Sequence, residues 1–155
     1  MSEETAETCA KRLFAQNREG ALATLDEHGN PLTTLVTYAA SEKGEPLLLL
    51  SGLARHTQNL KVDPRASLLI ADALDAGDDA DIQARARASL NGAIAPLTDP
   101  AAIADARARF LARHPAAETY VDFADFKFFV MKVADIHLVQ GFGRIKNLPG
   151  TILAG

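Results

Sequence analysis

The chain has 155 residues, 48% apolar and 23% charged, which suits one globular domain with a sizeable core. A formal net charge of −4 argues against non-specific nucleic-acid binding, which needs surplus Lys and Arg to displace counterions. The single cysteine, Cys9, rules out an internal disulfide or a thiolate metal cluster and suits a reducing cytoplasm.

Thr5 to Gln16 reads as a helix, because Cys9, Ala10, Leu13 and Phe14 recur at three- and four-residue spacing. Gly20 opens a first strand, Ala-Leu-Ala-Thr-Leu. The turn Asp26–Asn30 leads to a second strand, Leu32–Tyr38, and the turn Ser41–Glu45 to a third, Leu47–Ser51. Short turns between them suggest an antiparallel meander. Ala54 to Val62 reads as a short helix capped near Thr57 and ended by Asp63-Pro64. Ala66–Ala71 is a fourth strand.

The acidic run from Asp72 to Asp81 follows. The spacing of Asp75, Asp78, Asp79 and Asp81 does not match a helix-flanked calcium loop with its terminal Glu. A long fifth strand is expected over Ala84–Ala95. Asp99-Pro100 opens a helix whose Ile103, Ala106, Phe110, Leu111 and His114 share a face, and Pro115 stops it. Phe126–Val133 and Ile136–Val139 are the last strands, with Asp135 at a turn or bulge. About seven strands and two or three helices favour a mainly β, α+β barrel in one domain over 1–155.

Little in the chain marks a catalytic centre by itself. His28, His56, His114 and His137 share no metal-ligand spacing, so no histidine metal site is expected. There is no Gly-x-Ser-x-Gly elbow, and no catalytic residue is identifiable. The N-terminus has no secretory signal, and no apolar run approaches the ~20 residues of a membrane span. Two stretches stand out. In Leu50-Ser-Gly-Leu-Ala-Arg-His-Thr-Gln-Asn-Leu60 a strand ends, glycine turns the chain, and Arg, His and Thr arrive at a helix start. Free N–H groups and the helix dipole favour an anion there. In Gly141-Phe-Gly-Arg-Ile-Lys-Asn147 two glycines flank an aromatic, beside two cations, in a loop able to approach a flat ligand.

The runs Pro31–Ala39, Leu47–Ser51, Leu53–Leu60 and Asp63–Ile70, in that order, resemble the FMN-binding split barrel of pyridoxamine-phosphate-oxidase-related proteins, nearest the N-terminal barrel of the haem-utilisation subfamily. Phe110–Pro115, Tyr120–Phe126 and Gly141–Arg144 extend the likeness. The resemblance implies that Thr33, Thr34, Leu35, Val36, Leu50 and Ser51 line a flavin. It implies that Arg55, His56 and Thr57 hold its phosphate, and that Arg87 reaches the ring from a second subunit. The Gly143-Arg144 loop would close over the site. FMN is the implied cofactor, with deazaflavin and haem as alternatives.

The implied assembly is a cytoplasmic homodimer with FMN at its interface, bound to neither nucleic acid nor membrane. The implied activity is an FMN-dependent oxidoreductase acting on a small molecule, the alternative being a non-enzymatic flavin- or haem-binding carrier or stress protein. Thr33 and Tyr38 stand where the true oxidases carry more basic residues, which argues against vitamin B6 oxidation. The chain ends at Gly155 without the C-terminal domain that supplies a haem ligand in haem-degrading relatives, an expectation against haem breakdown.

Overall fold

The computed structural model describes residues 3–73 and 81–155; Asp75, Asp78 and Asp79 of the acidic run lie outside them. Eight antiparallel strands form one sheet: β1 (Glu19–Leu25), β2 (Pro31–Thr37), β3 (Ala39–Ala40), β4 (Pro46–Ser51), β5 (Arg65–Ala71), β6 (Arg87–Pro96), β7 (Phe126–Val139) and β8 (Ile145–Pro149). Their order is β2-β1-β5-β6-β7-β4-β3, with β8 also on β7. Three helices flank it: α1 (Ala6–Gln16), α2 (Arg55–Val62) and α3 (Pro100–Arg113). This is the mainly β, split-barrel architecture expected from the sequence.

The helix ends follow local chemistry. Thr5 accepts from the backbone N–H of Thr8 at the start of α1, and Asp99 accepts from that of Ala102 at the start of α3, behind Pro100 at N1. The start of α2 differs from the expectation. Its cap position is Ala54, with no side-chain cap, and Thr57 sits a turn inside. Arg55 to Val62 takes up the helix because Thr57, Asn59 and Leu60 turn inward on one face.

Four strand assignments change. The first three predicted strands do not form a meander. β1 and β2 pair, but β4 pairs with β7 and with the two-residue β3. Tyr38 breaks the run: it is buried, its N–H bonds to Arg18 O, and its hydroxyl donates to Phe14 O at 2.6 Å, so β2 becomes a sheet edge. The fifth predicted strand starts later, at Arg87, because Ile82–Ala84 winds into a 3-10 turn capped by Asp81. The last two predicted strands are one continuous β7. Asp135 opposes Asn91 while Val133 opposes Gly92, so Ala134 is the extra residue of a bulge. Gly92 allows this, since a Cβ there would overlap the Lys132 carbonyl. β8 was not expected; it begins in the stretch read as a loop, at Ile145, and runs past its end to Pro149.

Inside the curled sheet, Leu22, Leu68, Leu90 and Ile136 face one another across β1, β5, β6 and β7, all fully buried, and α1 closes one end with Leu13 and Phe14. A second core lies outside the sheet, where Ala106 and Phe110 of α3 cover Leu47, Leu49 and Phe128. Among the described residues the remaining outer face has no such cover. Leu35, Ala21, Leu69, Ser89 and His137 form a cross-strand row on it, with Leu35 73% and Leu69 45% exposed. Ser67, Asn91 and Asp135 form a neighbouring row tied by hydrogen bonds of 2.7 and 3.1 Å.

A candidate flat-anion site at the start of helix α2

The residues singled out in the sequence fall into two groups at opposite ends of the barrel. The first gathers at the N-terminus of α2. Ser51 ends β4; its Oγ donates to Asp125 Oδ2 at 2.7 Å and accepts from the backbone N–H of Leu53, which turns the chain into the helix. Gly52 N–H bonds to Asp125 O at 2.7 Å. Arg55 follows with no ion pair among the described residues, beside a cleft of about 390 Å³ lined by Asp26, Glu27, Gln58, Asn59 and Val62. With Ala54 at the cap position, the backbone N–H groups of Arg55 and His56 have no side-chain acceptor among the described residues. Leu53, two residues before Arg55, is 85% exposed.

His56 is tied to β2. Its Nδ1 lies 3.0 Å from Thr34 Oγ1. Burial lowers its pKa from the ordinary histidine value, which favours the neutral ring. The next residue on β2 is the exposed Leu35. Thr33 also points outward, onto the open sheet face.

Three residues of this group are placed differently from a ligand-facing role. Val36 and Leu50 are core side chains, 7% and 3% exposed, so only their backbone could face a ligand. The Thr57 hydroxyl is buried and has no partner among the described residues. Asp125 joins the rim, and so do Leu53 and Gln58 of the quoted run Leu53–Leu60, none of them named as a site residue from the sequence. Asp125 stands in the quoted run Tyr120–Phe126, but its meeting with Ser51 joins positions 74 residues apart, which no local spacing shows.

The second group sits at the far end of β7. Arg87 pairs with Val139, and Val139 with Ile145 of β8. The Arg87 guanidinium donates to the carbonyls of Gln83 and Arg85 and to the Gln83 side chain. Gly143 takes φ +70° in the turn to β8, and Arg144 lies 3.8 Å from Glu3. Ser51 pairs with Phe126, thirteen positions from Val139 along β7. At ~3.3 Å per residue that is about 40 Å of strand, longer than one flat cofactor. Within one chain the two groups do not meet.

A family model described as the CREG β-barrel matches residues 1–152. The chain belongs to the CREG β-barrel family. It is 35% identical over 126 residues, 79% of its length, to the chloroplastic non-canonical heme oxygenase HOZ of Arabidopsis thaliana, of which those residues are 36%. A heme-binding protein from Mycobacterium smegmatis superposes with a TM-score of 0.88 at 34% identity, over 99% of this chain and 62% of that one. The chain thus spans about a third of the first relative and under two thirds of the second. A Clostridium acetobutylicum protein described as of the pyridoxinephosphate oxidase family shares the fold, with a TM-score of 0.70 at 15% identity over 96% of each chain. Among the described residues of this CREG-family chain, no helix is long and apolar enough to cross a membrane.

Proposed function

We propose that this protein binds haem, as a carrier or as the haem-holding part of a larger haem-handling system, and does so as a homodimer. One juxtaposition carries the reading: a guanidinium with no ion pair among the described residues, a neutral imidazole and the exposed Leu53 lie together at a helix start with no side-chain cap, on a chain like a haem-binding protein over nearly its whole length. The donor set fits the group. Arg55 and the free N–H groups of α2 suit the two propionates. Leu53 offers apolar contact for a porphyrin face. Bound haem would supply iron-centred ligand or electron chemistry, while the protein supplies binding and orientation.

The dimer is argued from the open sheet face. A cross-strand row holding two exposed leucines faces away from the core, and no helix among the described residues lies over it. A two-fold axis there covers the same patch on both chains. Arg87 points outward on this face, in phase with Ser89 and Asn91 along β6. A second copy could therefore bring the far group of one chain toward the α2 end of the other.

FMN is the second reading, and the uncapped α2 start beside Arg55 favours it, because a phosphate dianion suits that position. The two separate on titration of the full chain with ferric haem and, separately, with FMN. The expected result is a saturable Soret band near one haem per chain, with Arg55→Ala weakening it about tenfold, the scale of one charge-assisted hydrogen bond. Tight FMN binding with no haem saturation would move the reading to the flavin.

A further inference from the structure

We propose that the cleft between the end of α1 and helix α3 is a second binding site, for a small carboxylate carried on an apolar body. None of its residues belongs to the α2 rim, so it stands apart from the haem reading. The cleft holds about 400 Å³, within the range of small-ligand pockets. Phe14 and Tyr38 form its buried wall, and Ala15, Ala40 and Ala112 its exposed rim. Arg109 and Arg113 are its charged groups, and no acid stands among its lining residues.

Both guanidiniums are anchored with donors to spare. Arg113 bridges the two helices: its Nη2 donates to the carbonyls of Ala15, Gln16 and Asn17 at 3.1, 3.1 and 3.0 Å. Those carbonyls are the negative end of the α1 dipole, which is thereby answered. The Nε and Nη1 of Arg113 have no partner among the described residues. Arg109 gives Nε to Asp105 at 2.8 Å, an exposed pair one turn back on α3, and neither of its Nη groups has a partner among the described residues. Two such forks beside an apolar wall suit a carboxylate, which takes bidentate bonds while its body covers the aromatic edge and the alanines. Inorganic phosphate would leave that surface wet, and an amine would meet only cations. The cleft beside Arg144 and Lys146 is matched differently, since Glu3 and Glu4 line it as well.

The wall is held in place before any ligand arrives. Tyr38 donates its hydroxyl to Phe14 O at 2.6 Å, and the two rings stack at 5.3 Å. His114 Nε2 lies 2.6 Å from Tyr38 O, with its ring against Phe110, which fixes the end of α3 beside Arg113. Little ordering is left for the ligand to impose.

The test titrates the full chain with benzoate and hexanoate, and in parallel with benzylamine and inorganic phosphate, following backbone amides by NMR. The two carboxylates should saturate at millimolar concentration or below, shifting the amides of Ala15, Asn17, Ala40 and Ala112. Benzylamine and phosphate should leave those amides in place. Arg109→Gln should keep the circular dichroism of the wild type and weaken benzoate about tenfold, the scale of a charge-assisted hydrogen bond. Asp105→Asn removes the competing acid and should bind benzoate at least as tightly as the wild type. The site is overturned if neither carboxylate saturates, if benzylamine or phosphate shifts the same amides, if a folded Arg109→Gln keeps its affinity, or if Asp105→Asn loses it. Carboxylate shifts confined to the start of α2 would also overturn it, by placing the anion at Arg55, and would leave the haem reading intact.

Discussion

The outer surface of the sheet has two halves of opposite character. Over β4 and the start of β7, α3 lays Ala106 and Phe110 onto Leu47, Leu49 and Phe128, and every one of these is buried. Over β1, β2, β5 and β6 the outward positions are small or polar, among them Ala21, Ala23, Ser67 and Ser89, with Leu35 and Leu69 left exposed. Large side chains need a covering layer within the chain, and small ones allow another flat surface to approach. The bulge at Ala134 marks the change along β7. Before it Phe128 lies under α3, and beyond it Asp135 and His137 stand in the open. The first half is a core in its own right; the second is a face.

The largest break in this contrast comes from the covered half. Phe110 is fully buried at the centre of the second core, 5.8 Å edge-on from Phe128. Phe110→Ala should destabilise the fold by about 3–5 kcal/mol, since it removes an aromatic side chain and leaves a cavity that the strands beneath cannot collapse into. Urea denaturation followed by circular dichroism measures it. A loss under 1 kcal/mol would mean that α3 contributes little, and the distinction between the halves would go.

A smaller effect is expected where α3 begins. Asp99 Oδ2 accepts from Ala102 N–H at 3.0 Å, and Asp99→Ala removes that cap. The expected cost is about 1 kcal/mol. In a double variant with Phe110→Ala the two losses should fall short of additive, because a helix that has lost its anchor has less to gain from its cap. Strict additivity, again by denaturation, would show the α3 start and its packing to be independent.

Which half was legible in the sequence follows from the range of the forces. α1 and α3 were legible because their apolar period and their caps, Thr5 and Asp99, are properties of neighbouring residues. The pairing of β4 with β7 was not, since Leu47 and Val130 meet only when the barrel closes. β8 hid because Ile145-Lys-Asn-Leu-Pro149 has no alternation and ends in proline. The site was half legible. Arg55 and His56 could be named from a helix start after glycine, and Thr34 only through family resemblance. The bond between His56 and Thr34, and Asp125 beneath Ser51, are tertiary facts. Val36 and Leu50 read as candidate lining because a strand's two faces cannot be told apart when both sides carry apolar residues.

The smallest effect on stability, and the sharpest on the contrast, belongs to the open face. Leu69 lies between Ala21 and Ser89, 45% exposed, and makes little of the chain's own core. Leu69→Arg places a long cation where nothing among the described residues crowds it, so the fold should change in stability by no more than about 0.5 kcal/mol. If a second copy covers this face, the same change buries two guanidinium groups near a two-fold axis with no acid facing either from the row, which association does not tolerate. Sedimentation at micromolar concentration should therefore give twice the 16.5 kDa chain mass for the wild type and a single chain for Leu69→Arg, with matching circular dichroism. The haem titration adds a second reading. If the far group of one chain completes the α2 site of its partner, the monomeric variant should bind haem more weakly although Leu69 is not part of the α2 rim. A variant that stays dimeric would place the interface elsewhere. A monomeric variant with unweakened haem binding would confine the site to one chain and remove Arg87 and Arg144 from it.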